Sequence, residues 1–136
     1  MKINKDILIE DTGITIGDII VEKGSNENGN YIKYSNGVMI CWYTQTISGA
    51  YTSFTENYGA LYHSLQLPVW NYPIEFIDTP EYVNAALQST GIGGATISNG
   101  NATKPTKSKA GCWPWNATSW SGATCYIKWI AIGYWK

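Results

Sequence analysis

The chain contains no arginine, the side chain on which bidentate reading of guanine and phosphate mainly depends. Nine lysines stand against ten acidic residues, a formal net charge of -1, so no nucleic-acid partner is expected. There is a single histidine, His63, with no cysteine at ligand spacing beside it, and neither a zinc site nor another metal or cofactor is expected. No 18-residue apolar span occurs, and Met1 leads into a mixed polar stretch with Lys2, Lys5 and Asp6. Membrane insertion and a signal peptide are therefore not expected. Three cysteines, Cys41, Cys112 and Cys125, are too few for a disulfide framework. They read as buried reduced thiols, with a Cys112–Cys125 bridge as the alternative.

Signatures of catalysis are also missing. There is no nucleophile elbow, phosphate loop or calcium loop, and a Ser-His-Asp arrangement could draw only on His63. A glycosidase needs two carboxyl groups across a cleft, for which the candidates are Glu56, Glu75, Asp78 and Glu81. The last three cluster around prolines, where a solvated loop accounts for them. The expectation is a protein that is not an enzyme.

What is present is aromatic: seven Trp and ten Tyr against two Phe, in a chain of 136 residues and 44% hydrophobic content. That length and content suit one domain with its own core. The run Cys125 to Lys136 (CYIKWIAIGYWK) is apolar almost to its end. As a strand it places Tyr126, Lys128, Ile130, Ile132 and Tyr134 on one face and Ile127, Trp129, Ala131, Gly133 and Trp135 on the other. Neither set is polar, so both faces are expected to be covered, by a sheet and by a second sheet or a neighbouring subunit. Lys128 would carry its amine to the rim on its long stem.

Ahead of it, the pairs Ile7/Ile9, Ile14/Ile16 and Ile19/Val21 give strand fragments over 1–23, either the root of a fibrous stem or a strand folded onto its own domain. The Gly/Asn/Ser cluster at 24–30 reads as a turn, Tyr31 to Tyr34 as a strand, Asn36-Gly37 as a tight hairpin turn, and Val38 to about Thr46 as the antiparallel return. Residues 45–60 suit a strand pair with an exposed connection. Alternation in LYHSLQL puts His63 with Leu61, Leu65 and Leu67, so a structural histidine facing inward or at an interface is expected. Thr79-Pro80 could open a helix, but alternation through Tyr82 to Ser89 favours a strand. Ala95 to Ser98 reads as a short strand and 99–111 as a polar loop. Pro114 is expected to break any long ladder in Cys112 to Gly122.

The motifs GSNENGNYIKYSNGVMICW and IAIGYWK, with a proline-marked segment between them, resemble the C-terminal domain of bacteriophage tail-fibre and baseplate receptor-binding proteins of the gp53-like type. The likeness spans roughly residue 20 to the end. Members usually carry Arg before the last Trp, where this chain has Tyr134. The resemblance implies an all-β domain at the distal end of a homotrimeric fibre in the virion, assembled in the host cytoplasm. It implies contact with bacterial cell-surface carbohydrate or, alternatively, a structural role against other phage tail proteins. We expect an antiparallel β-sandwich with the C-terminal strand central, a stem-like segment over 1–23 and the receptor-binding domain over 24–136. Rings offer flat apolar faces to a sugar and amides meet its hydroxyls, so the candidate ligand-binding residues are Tyr51, Tyr58, Trp113, Trp115, Trp120, Asn99, Asn101 and Asn116.

Overall fold

The computed structural model describes residues 19–89, 91–122 and 124–136. The Ile7/Ile9 and Ile14/Ile16 pairs lie outside the described residues. Ten strands follow in chain order: β1 (Ile20–Asn26), β2 (Gly29–Tyr34), β3 (Val38–Ile47), β4 (Phe54–Tyr58), β5 (Leu61–Ser64), β6 (Val69–Asn71), β7 (Tyr82–Gln88), β8 (Gly93–Ile97), β9 (Lys109–Asn116) and β10 (Cys125–Tyr134). One short 3-10 turn, Gly49–Thr52, interrupts them, and there is no α-helix among the described residues. The strands form two antiparallel sheets packed face to face, an all-β sandwich.

The first sheet has the order β1-β2-β3-β10-β7, so β10 is an interior strand with β3 on one edge and β7 on the other. The β2–β3 hairpin is built by the residues that announce it. Gly37 takes a φ of 97°, its N–H donates to the Tyr34 carbonyl at 3.0 Å, and Asn36 Oδ1 accepts from the Val38 N–H at 3.0 Å. The turn between β1 and β2 is tighter than the Gly/Asn/Ser cluster suggests. Gly24, Ser25 and Asn26 continue β1, and the ring of Tyr31 lies across Gly24 where any side chain would collide.

In the second sheet β9 is the interior strand. β8 pairs along one edge of it, while β5 and β6 lie end to end along the other, with β4 outside β5. This corrects the expectation that Pro114 ends any ladder. The even residues of β9 point their backbone groups at the β5/β6 edge, as the Cys112 N–H to Pro68 carbonyl bond of 3.1 Å shows. Pro114 falls between the partners of β6 (109–111) and those of β5 (115–116). Its missing N–H therefore faces the gap between two strands and leaves no ladder bond unmade.

Between the sheets lie Met39, Cys41 and Ile47 of β3, Ala85 of β7, Ile127, Trp129 and Ala131 of β10, Trp70 of β6, and Ala110 and Cys112 of β9. Tyr72 and Phe76 join from the connection after β6. Trp70 and Trp129 pack with ring centroids 5.6 Å apart. Gln45 ties the layers together: its Oε1 accepts from Trp129 Nε1 at 2.9 Å and its Nε2 donates to the Val69 carbonyl of β6 at 3.2 Å. Both polar ends of a half-buried amide are thereby satisfied. Cys41, Cys112 and Cys125 are free and buried, so the Cys112–Cys125 bridge is not formed.

Of the two faces of β10, the Ile127/Trp129/Ala131/Gly133 face is core. The other is not covered among the described residues: Tyr126 and Tyr134 are exposed, Ile130 and Ile132 half-buried, and Lys128 reaches solvent directly.

Candidate functional site

The pleat of the second sheet decides which side chains face away from the core. On β9 the even residues Ala110, Cys112, Pro114 and Asn116 are buried, so Trp113 and Trp115 stand on the outer face. Register then fixes their neighbours. His63 of β5 pairs with Trp115, Glu56 of β4 pairs with His63, and Gly94 of β8 pairs with Trp115 from the other side. The result is a row across four strands, Glu56–His63–Trp115–Gly94. Thr96 lies opposite Trp113 in the adjoining row, and Tyr58 opposite Leu61 at the β4–β5 turn.

Each position in the row has a local cause. Gly94 lacks a side chain because the Trp115 indole occupies that space; a Cβ there would meet indole atoms at 2.7–3.2 Å. His63 packs edge-to-face against Trp113, ring centroids 5.0 Å apart. Its Nδ1 lies 2.9 Å from the Ser64 carbonyl, which can only accept, so the neutral ring carries its proton on Nδ1 and Nε2 is left as an acceptor. Nε2 has no hydrogen-bond partner among the described residues, and Glu56 is exposed.

Solvent reaches this face. Tyr58 is 82% exposed, Trp113 37% and Leu61 39%. Its far border is the loop after β8. Thr103 covers Gly111, the outer-face glycine two residues before Trp113; the Gly111 N–H donates to the Thr103 carbonyl at 2.8 Å, and Thr103 Oγ1 meets Ser98 Oγ at 2.5 Å. Asn99 and Asn101 are exposed on that loop.

The structure thus brings Trp113, Trp115, Tyr58, Asn99 and Asn101 to one side of the molecule and separates the other three candidates from them. Trp120 stacks on buried Phe54, centroids 5.7 Å apart, and the two residues exchange backbone hydrogen bonds of 2.7 and 3.1 Å. Asn116 is 3% exposed on the inner face, where its Nδ2 donates to the Thr118 carbonyl at 3.0 Å. Tyr51 lines a separate groove of about 320 Å³ with Gln45, Ser48 and Pro68. His63 and Glu56 complete the face, although the sequence marks His63 only as a structural histidine and Glu56 only as one of four candidate carboxyls. The alternation that groups His63 with Leu61 is real, but that face is the outer one, and only the pairing with Trp115 shows it.

A second outward surface belongs to the first sheet. Register aligns Ile32, Ile40, Ile132 and Tyr82 in one row and Trp42 with Ile130 in the next. Trp42 is 38% and Tyr82 50% exposed.

No family model matches the chain, and no curated protein matches it. Among solved structures the fold is shared with tail fibres. An N-truncated R1-type pyocin tail fibre aligns with a TM-score of 0.54 at 12% identity, covering 98% of this chain and 98% of that one. A P. aeruginosa R1 pyocin fibre comprising its C-terminal residues aligns with a TM-score of 0.53 at 13% identity, covering 93% of this chain and 30% of that one. The fold is of the tail-fibre type. These likenesses do not reach the narrower gp53-like type.

Proposed function

We propose that this chain is the distal receptor-binding domain of a phage tail fibre or tail-like particle, a homotrimer that attaches to bacterial surface glycan without chemistry. The observation that carries the reading is the outer face of the second sheet. Two indoles, an imidazole and a carboxylate are held on paired strands, Trp113 and Glu56 exposed and Trp115 and His63 half-buried, in a chain whose fold is similar to that of a pyocin fibre. Rings and hydrogen-bonding groups set side by side are what a hydroxylated apolar surface such as a sugar requires. The row holds one carboxylate, and the paired acids of a glycosidase are not assembled there. Of the other acidic candidates, Glu75 is held by Lys107 at 2.9 Å.

The apolar rows on the first sheet support a second role alongside it, contact with other copies or with other tail proteins. Trp42 and Tyr82 stand exposed there beside half-buried isoleucines, the kind of apolar surface that interfaces cover. The test is direct. The purified chain, with its oligomeric state fixed by light scattering, is measured for binding to host-range panels of bacteria and for blocking particle adsorption. Saturable binding and blocking support attachment. A folded trimer that binds none of a broad panel, yet captures other tail components, supports the assembly role instead.

A further inference from the structure

We propose that the Glu56–His63–Trp115 row is a subsite for a neutral sugar that presents two hydroxyl donors along one edge. This deepens the attachment reading and rests on it. Three observations give the ligand its chemistry. First, the polar groups of the row are acceptors: an exposed carboxylate at Glu56, and the Nε2 of His63 with its tautomer fixed by the Ser64 carbonyl. A ligand that satisfies both must donate twice. Second, the groups are set by strand spacing, about 4.8 Å between neighbours, so the carboxylate, the imidazole and the Trp115 indole, which leans over Gly94, follow one another over roughly 10–14 Å. That span suits one or two pyranose rings. Third, the Trp113 indole packs on His63 and the Trp115 indole lies over Gly94 beyond it, so both offer apolar surface to the C–H side of the ligand.

Charge then discriminates between sugars. An acidic sugar would bring its carboxylate toward Glu56. Lys109 shares the outer face of β9 but stands four residues from Trp113, about 13 Å away at strand spacing, beyond one screening length in physiological salt. Lys104 is exposed on the bordering loop and outside the row, so an anionic polymer is the informative competitor.

The experiment uses the full chain and three probes of matched length: a neutral hexose polymer, a uronic-acid polymer and a glucosamine polymer. Intact host cells serve as a fourth arm. Binding to the neutral polymer is expected to exceed that to the uronic-acid polymer, and preference for the glucosamine polymer, whose ammonium would pair with Glu56, overturns the assignment to a neutral sugar. Glu56→Gln and His63→Phe are each expected to weaken it by roughly tenfold or more, as loss of a hydrogen bond to a charged or fixed acceptor does. Glu56 is exposed, so Glu56→Gln leaves the fold intact; Gly94→Ala, which displaces the Trp115 indole, provides a second variant that acts through the ring. Preference for the anionic polymer, or unchanged affinity in Glu56→Gln and Gly94→Ala, overturns the subsite. If those variants still bind cells as the parent does, the subsite fails while attachment stands. If the parent binds no cells, attachment itself fails.

Discussion

Replacing Gly133 by alanine tests how the sandwich is closed. Gly133 lies on the core face of β10, opposite Met39 of β3. A Cβ there would sit 2.9 Å from Phe76 Cδ1, 2.9 Å from Pro80 Cα and 3.2 Å from Phe76 Cε1. Neither neighbour yields easily. The Phe76 N–H donates to the Lys107 carbonyl at 2.9 Å, the Ile77 N–H donates to the Tyr134 carbonyl at 2.9 Å, and the Phe76 ring packs on Tyr72. Restoring ordinary carbon contacts of about 3.5–4.0 Å requires a shift of roughly 0.6–1 Å. Overpacking of this size costs about 1–3 kcal/mol, and the stiffer unfolded chain returns about 0.4–1 kcal/mol. The net expectation is a loss of about 1–2 kcal/mol, read as a urea midpoint lower by roughly 0.5–1 M with an unchanged slope. Protein concentration must be held fixed, since any assembly adds to the apparent stability. In a Phe76→Leu background the same substitution should cost less, with a coupling of at least about 0.5 kcal/mol. An unchanged or raised midpoint in the single variant, or strict additivity in the double, would refute the account of the close approach.

Trp129→Phe should cost about 2–4 kcal/mol, because it removes buried volume beside Trp70 and leaves Gln45 Oε1 without its donor; equilibrium unfolding checks this, and a loss under about 1 kcal/mol would show that the amide bridge is dispensable. Burial pushes the thiols of Cys41 and Cys112 up from 9.0 to about 12, and burial followed by the charge of Cys41 raises the Tyr72 hydroxyl as well. The folded chain keeps these protons to higher pH than the unfolded chain does. Their contribution is therefore intact below pH 9 and lost as pH rises from about 9 toward 12. The melting temperature should fall across that window, with a shallower slope in Cys41→Ala/Cys112→Ala; a flat profile in the parent would refute the assignment. A small disulfide reagent should leave the native thiols unlabelled at neutral pH and label them on unfolding.

Much of the fold is legible in short-range patterns. Alternation in β10 divides its residues into the two faces the structure shows, because a strand fixed on both edges cannot slip without turning every side chain over, but it does not tell which of the two apolar faces is core. Asn36-Gly37 marks its turn, and alternation in Tyr82–Gln88 outweighs the helix start signal at Thr79-Pro80, since β7 is built as an edge against β10. The failures share one cause: they depend on pairing between distant segments. Pro114 is compatible with an interior strand only because β5 and β6 meet opposite it, and no local feature of Cys112 to Asn116 reports that. Gly24 to Asn26 look like a turn until Tyr31 covers Gly24. His63 and Glu56 carry no local sign that they are neighbours. Two pairings bring them beside an indole more than 50 residues from either.

The two outer faces of the sandwich point away from each other and differ in kind, and that difference yields a prediction about strength of attachment. Hydrogen-bonding groups interrupt the rings on the second sheet, whereas Ile32, Ile40, Ile132 and Tyr82 form an unbroken apolar row on the first. A hydroxylated ligand matches the former, and another copy of the chain matches the latter. If copies associate through the first sheet, every second-sheet face stays free, and three weak sugar contacts act together at high effective concentration. Linked sites of this sort gain roughly 10²–10⁴ in avidity without any new contact. Ile40→Glu/Ile132→Glu places two charges in the apolar row and is expected to yield monomers by light scattering. Those monomers should bind a soluble oligosaccharide as the parent does, yet hold intact cells at least about 10²-fold less tightly. Monomers that hold cells as tightly as the assembly would mean that one face suffices alone, and the division of labour between the sheets would have to be abandoned.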